Sequence, residues 1–179
     1  MSLDLAYLIV TGTTTAPQAM DLVRGLLVVV DQVITVPTPH AARVVAPRDL
    51  STIAGNRLVE SYFDAAILPR PPDGLTLVAP CSFNSLNKLA AGVADNLALS
   101  IAAEAIGRGT PVVVAVSINP PLFRHPRAAA SMAELRGWGV TVIEPVETGE
   151  GLLRLAPTEA ILAVARQALN DYAAGSPGT

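Results

Sequence analysis

The chain has 179 residues, of which 51% are hydrophobic and only 15% charged, with a net charge of −3. That length fits one α/β domain, expected over residues 1–174 with a flexible tail at 175–179, rather than two domains. The cations are scattered, densest at Arg124 and Arg127, and the apolar runs are broken by Asp31, Pro80 or Asp95, so neither nucleic acid nor a membrane is an expected partner.

One cysteine, Cys81, excludes an internal disulfide and points to a reducing compartment. No basic segment precedes the first apolar run, so the expected location is the cytoplasm. So few charges leave little to cover the outside, which suggests that part of the surface is buried against other subunits.

Strand-length apolar runs alternate with segments of helical period, the pattern of βαβ units around a parallel sheet. Leu5 to Val10 reads as the first strand. Ala16 to Val30 reads as a helix with Met20, Val23, Leu26, Leu27 and Val30 on one stripe and Pro17 near its start. Gln32 to Val36 is a second strand, and Ala41 to Val45 and Asp49 to Ile53 are short helical turns, the latter with Asp49 as cap. Leu58 to Phe63 is expected as a third strand and Leu75 to Ala79 as the central one, with the Pro-rich loop Ile67 to Gly74 between them.

A long helix is expected from Ser85 to Ile106, closed by Gly107 and Gly109. Pro111 to Ser117 is a strand, His125-Pro126 opens a helix through Leu135, Val140 to Ile143 is the last strand, and Pro157 to Ala173 is a terminal helix. The expected fold is a three-layer, flavodoxin- or Rossmann-like parallel sheet with helices on both faces. Ligands in such folds sit beyond the carboxyl ends of the strands.

Four loops lie at those ends. Thr11-Gly12-Thr13-Thr14-Thr15 offers a glycine, hydroxyls and a helix start to a phosphate, or is an ordinary capped turn. Thr38-Pro39-His40-Ala41 presents a histidine that can donate to a ligand or simply be solvated. Pro80-Cys81-Ser82-Phe83-Asn84-Ser85 follows the central strand, where Asn84 or Ser85 can cap the next helix. Ser117 to Pro126 carries Asn119 just past a strand end, held by Pro120 and Pro121. No set of side chains has metal-ligand spacing.

Taken in order, these segments resemble the homo-oligomeric flavin-containing cysteine decarboxylases, the family of phosphopantothenoylcysteine decarboxylase and the lanthipeptide cysteine decarboxylases. Residues 80–85 are similar to that family's Pro-Ala-Ser-Ala-Asn-Thr motif, and Ser117 to Phe123 to its Pro-x-Met-Asn-x-x-Met-Trp segment. Gly92-Val93-Ala94-Asp95-Asn96-Leu97 is similar to its Gly-Ile-Ala-Asp-Asn-Leu helix, and Thr38 to Ala41 to its Thr-Pro-Ser-Ala turn. The resemblance runs from about Leu5 to Pro145.

The resemblance implies FMN, bound in a homotrimer or a trimer-based homododecamer. By position, Gly12, Thr13 and Thr14 face the phosphate, helped by Thr38 and His40. Cys81, Ser82, Asn84 and Ser85 lie along the flavin, with Asn84 also touching the substrate carboxylate. Asn119 lines the substrate side, and Asp95 steadies the helix and interface. Asn84 and Asn119 are thus the expected catalytic residues. In the family's chemistry flavin oxidises a cysteine thiol to a thioaldehyde, which lets carbon dioxide leave.

The departures bear on turnover. Ala66 stands where the family has an active-site histidine, a base or orienting group of the kind worth about 10²–10⁴-fold. Ile118 replaces the Met before the Asn, Leu122 and Phe123 replace the Met-Trp pair, and residues 147–151 replace a glycine- and cysteine-rich substrate clamp. One expectation is an active oxidative decarboxylase with another base, His40, His125 or Asp73, acting on a C-terminal cysteine of a peptide in preference to phosphopantothenoylcysteine. The alternative is a catalytically incomplete flavin-binding or regulatory subunit. A prenyl-flavin synthase-like transferase is disfavoured, because the first loop lacks that group's Gly-Ala-Ser-Gly pattern.

Overall fold

In the computed structural model, residues 3–149 and 151–175 are described. Glu150 and the expected tail residues 176–179 lie outside them. Six strands form one parallel sheet: β1 (Leu5–Val10), β2 (Gln32–Pro37), β3 (Asn56–Leu58), β4 (Leu75–Cys81), β5 (Val112–Val116) and β6 (Thr141–Ile143). Their order is β3-β2-β1-β4-β5-β6. A parallel sheet covered on both faces needs strands apolar throughout rather than alternating. Leu-Ala-Tyr-Leu-Ile-Val of β1 meets that condition, and all six residues are buried.

One face is covered by α1 (Ala19–Leu26), α2 (Pro47–Ser51) and α7 (Thr158–Gly175), whose Leu22, Leu26, Leu50 and Ile161 pack on Leu8, Leu75 and Val113. The other is covered by α3 (Phe83–Ala90), α4 (Leu97–Arg108) and α6 (Pro126–Gly137), through Leu86, Leu89, Ile101, Met132 and Leu135. The expected three layers are present. Each fully buried leucine contributes about 1.5–3 kcal/mol through area removed from water. No helix among the described residues is long and apolar enough to cross a membrane.

The strand order fixes where a ligand can sit. After β1 the chain leaves toward α1 on one face, and after β4 it leaves toward α3 on the other. The neighbouring ends of β1 and β4 therefore open a crevice between diverging connections.

Several boundaries differ from the sequence expectation. The third strand is Asn56–Leu58, not Leu58 to Phe63. Asn56 sets that earlier register, accepting from Thr35 Oγ1 at 2.7 Å and donating to the Leu50 carbonyl at 2.8 Å. The Val59 N–H then bonds to the Thr35 carbonyl, and the chain turns Tyr62 and Phe63 outward, the latter 86% exposed.

The expected long helix is two. Gly92 takes φ +68°, which suits a helix C-terminus, and Asn96 Oδ1 accepts the Leu99 N–H at 3.1 Å to start α4. Residues 92–96 are therefore the turn between α3 and α4, not helix. Asp49 lies inside α2 rather than capping it. Two elements were not anticipated: a short helix α5 (Pro120–Phe123), and a hairpin of β7 (Val146–Thr148) and β8 (Leu152–Arg154) between β6 and α7.

Candidate functional site

The four loops converge at the carboxyl ends of β1, β2, β4 and β5 through a net of hydroxyls. Thr11, wholly buried, donates from Oγ1 to the Pro80 carbonyl at 2.7 Å and accepts the Ser82 N–H at 2.9 Å. The Thr13 and Thr15 hydroxyls meet at 2.9 Å, and Thr15 meets the Ser117 hydroxyl at 2.7 Å, tying the first loop to the fourth. A Cβ at Gly12 would stand 2.8 Å from the His40 Cβ and 2.9 Å from the His40 carbonyl carbon, so only glycine lets these two loops approach so closely.

At β4 the chain enters α3 with Ser82 as N-cap, its Oγ accepting the Ser85 N–H at 3.2 Å and donating to Ser85 Oγ at 3.1 Å. The expected cap was Asn84 or Ser85. With Ser82 in that role, Asn84 sits in the first turn, exposed and without a hydrogen-bond partner among the described residues. Asn119 caps α5, where Pro120 and Pro121 start a helix at no cost in N–H bonds, and its Oδ1 accepts the Leu122 N–H at 3.0 Å. Its amide donors remain available.

These residues border one cleft of about 810 Å³, within the usual range for small-molecule sites. Gly12, Thr13, Thr14, Thr38, His40, Ser82, Asn84, Ser85 and Asn119 all line it. Cys81 departs from the expected set. β4 runs two residues further than expected, Cys81 pairs in register with Val116, and its side chain is fully buried in the core beneath α3. Burial pushes its thiol from 9.0 up to about 12, an inert neutral group.

Of the three candidate bases, His40 alone borders the cleft. His125 is the N-cap of α6, its Nδ1 accepting the Arg127 N–H at 3.0 Å and its ring edge-on to Phe83 with centroids 5.5 Å apart. Asp73 precedes β4 at the opposite end of the sheet and pairs with Arg108 at 3.3 Å. Ala66 is partly buried against the core and does not border the cleft.

Lys88 and Asp95 were not expected to meet at the site. The chain reversal at Gly92 brings them together at 2.5 Å on the cleft wall, and that hydrogen bond holds the Asp95 carboxyl below its usual range. The wall is thus close to neutral, with hydroxyls, amides and one imidazole. No group of three or more His, Cys, Asp or Glu side chains suited to a metal forms among the described residues.

A flavin mononucleotide has an anionic tail and a flat ring edged with hydrogen-bonding atoms, and the donor set fits both. The Thr14 hydroxyl and the N–H groups of Phe83 and Asn84, the first two of α3, have no partner among the described residues. Ile118 and Leu122 offer apolar surface beside Asn119.

The sequence model of a family described as Flavoprotein matches residues 5–170. A cysteine/cysteine sulfinic acid decarboxylase from an unknown prokaryotic organism is 30% identical over 139 residues, covering 66% of this chain and 36% of that protein. The coenzyme A biosynthesis bifunctional protein CoaBC of Mycobacterium tuberculosis is 30% identical over 173 residues, 91% of this chain and 41% of that one. The chain thus spans about two fifths of the length of these curated relatives.

Among solved structures, the FMN-binding protein AtHal3 superposes with a TM-score of 0.79 at 20% identity, covering 97% of this chain and 99% of that one. The peptidyl-cysteine decarboxylase EpiD gives 0.75 at 18% identity, over 91% and 98%. At such identities these likenesses establish the fold.

Proposed function

We propose, from the premise that this chain belongs to the flavoprotein family, that its cleft holds FMN and serves the oxidative decarboxylation of a cysteine-containing substrate. The observation that carries this reading is convergence: nine residues marked by the resemblance, from four separate loops, border one cleft at the point where strand order reverses. Relatives and structural neighbours described as cysteine decarboxylases support it.

In this reading Gly12, Thr13 and Thr14 bind the phosphate, with Thr38 and His40 completing the cradle. Ser82, Asn84 and Ser85 lie along the flavin ring. Asn84 also reaches the substrate carboxylate, and Asn119 orients the cysteine through its free amide donors. Bound there, the flavin supplies a two-electron acceptor for a thiol. His40 is the imidazole able to hold or release a proton at the cleft. A C-terminal cysteine of a peptide is the substrate favoured over phosphopantothenoylcysteine.

We place residues 1–174 in one flavoprotein domain that assembles with copies of itself. Tyr62, Phe63 and Leu68, exposed together on the segment after β3, support that assembly. A trimer or larger species by light scattering is the expected result, and a stable monomer would refute it.

The reading is tested by incubating FMN-loaded protein with a cysteine-terminated peptide and weighing the product. Loss of carbon dioxide and two hydrogens is expected. Retained flavin with an unchanged peptide would favour a second reading, a flavin-binding subunit without turnover. Ala66 supports that second reading, since it stands where the resemblance implies an active-site histidine.

A further inference from the structure

The cleft does not end at the four loops. It continues into a groove of about 360 Å³ roofed by the hairpin, with Thr14, Ser117 and Asn119 on one side and Leu152, Leu153 and Arg154 on the other. Thr14, Ser117 and Asn119 also border the main cleft, so the two spaces join.

The groove has a one-sided charge. None of the residues that border it carries a carboxylate. Arg154 makes no ion pair among the described residues, whereas Lys88, the cation of the main cleft, is neutralised by Asp95. Val146, not Glu147, stands opposite Arg154 in the hairpin register, so the cross-strand neighbour does not neutralise it either. The other polar side chains of the groove carry no charge, and the hydroxyls of Thr13, Thr15 and Ser117 are engaged with one another. A guanidinium with no carboxylate beside it, walled by two leucines, suits an anion carried on an aliphatic or peptide stem.

We infer that Arg154 is a specificity-determining residue that binds an anionic group of the substrate, remote from its cysteine. The inference rests on the cysteine-substrate reading above and extends it to the substrate's other end. The anion is either a side-chain carboxylate close before a terminal cysteine or a phosphate on a pantothenoyl-type stem. Both present oxygens to a guanidinium fork.

The test measures binding to the FMN-loaded protein by calorimetry, with ligands whose cysteine is replaced by serine so that no turnover occurs. One pair of peptides differs only in Glu or Gln before the terminal residue. A second pair is pantothenoyl-serine with and without its phosphate. The parent protein is expected to prefer the anionic member of one pair by about three- to tenfold, the range for a pair still in contact with water. That pair identifies the source of the anion.

Arg154→Gln removes the preference, Arg154→Lys keeps part of it, and both leave neutral-ligand binding and FMN retention unchanged. Arg154 is exposed and unpaired among the described residues, so these variants fold. Equal binding within both pairs by the parent, or a preference that survives Arg154→Gln, overturns the inference and leaves the cysteine reading standing. Loss of FMN in Arg154→Gln overturns it in favour of a contact to the cofactor phosphate. If the parent retains FMN and binds no ligand of either pair, the substrate reading and the inference both fail.

Discussion

The hydroxyl of Thr11 accepts the backbone N–H of Ser82 at 2.9 Å, joining the ends of two adjacent strands whose chains leave for opposite faces of the sheet. The same hydroxyl donates to the Pro80 carbonyl, so one buried group sets the spacing between the first and third loops. Thr11→Val keeps the shape and leaves the Ser82 N–H unpaired. It is expected to cost about 1–3 kcal/mol in urea unfolding and to weaken FMN binding, with Thr11→Ser restoring both. A valine variant as stable as the parent would remove this staple from the account.

Asn84 separates ligand binding from stability. Its side chain is exposed and unpaired among the described residues, at the first turn of α3. Asn84→Asp places a negative charge at a helix start, neutral or favourable for folding by about 0.3–1 kcal/mol. Beside the flavin it is expected to lower FMN affinity by about tenfold, as a lost hydrogen bond of about 1.4 kcal/mol would. Unchanged retention and spectrum would exclude Asn84 from the flavin site.

Asn119 has two separable tasks. Its Oδ1 caps α5, and its amide donors face the proposed substrate. Asn119→Ala is expected to lose about 1 kcal/mol of stability together with turnover. Asn119→Asp keeps the cap but sets a carboxylate against that of the substrate, so stability holds while KM rises. A KM unchanged in the aspartate variant would place the substrate elsewhere.

Much of this was legible in the sequence because parallel strands buried on both faces are apolar throughout, as in Leu5 to Val10, and glycine and proline punctuate the loops. What escaped was short or ambiguous. Gly92 and Asn96 are a stop and a start signal, but they interrupt an apolar run whose period continues across them, so α3 and α4 read as one helix. Val59, Tyr62 and Phe63 have strand propensity, yet the hydrogen bonds of Asn56 claim the register first.

The β7–β8 hairpin left only Gly149 and Gly151 as a turn signal between three-residue strands. Asn119-Pro120-Pro121 is a cap followed by proline, a helix start that looked like a rigid loop. The nine cleft residues follow from the resemblance, whereas the Lys88–Asp95 pair depends on the chain reversal at Gly92, a stretch that reads as continuous helix. Cys81 was misplaced because the end of β4 was set two residues early, and in a strand that moves a side chain from the loop into the core.

The Cys81 thiol predicts a pH dependence. Burial raises it from 9.0 to about 12, so between those values the folded chain keeps a proton that the unfolded chain has lost. Its contribution is fully present below pH 9 and falls as pH rises toward 12, by at most about 1.4 kcal/mol per unit. Tyr7, also raised by burial, acts in the same direction. Cys81→Ala is expected to flatten the decline of urea-unfolding stability above pH 9. An identical decline in both proteins would contradict a buried, neutral thiol.

The most direct test of a flavin in this cleft is the visible spectrum of the purified protein with added FMN, followed by anaerobic addition of a cysteine-terminated peptide. The account predicts a retained yellow chromophore that bleaches as the thiol is oxidised. A colourless protein that takes up no FMN would contradict it.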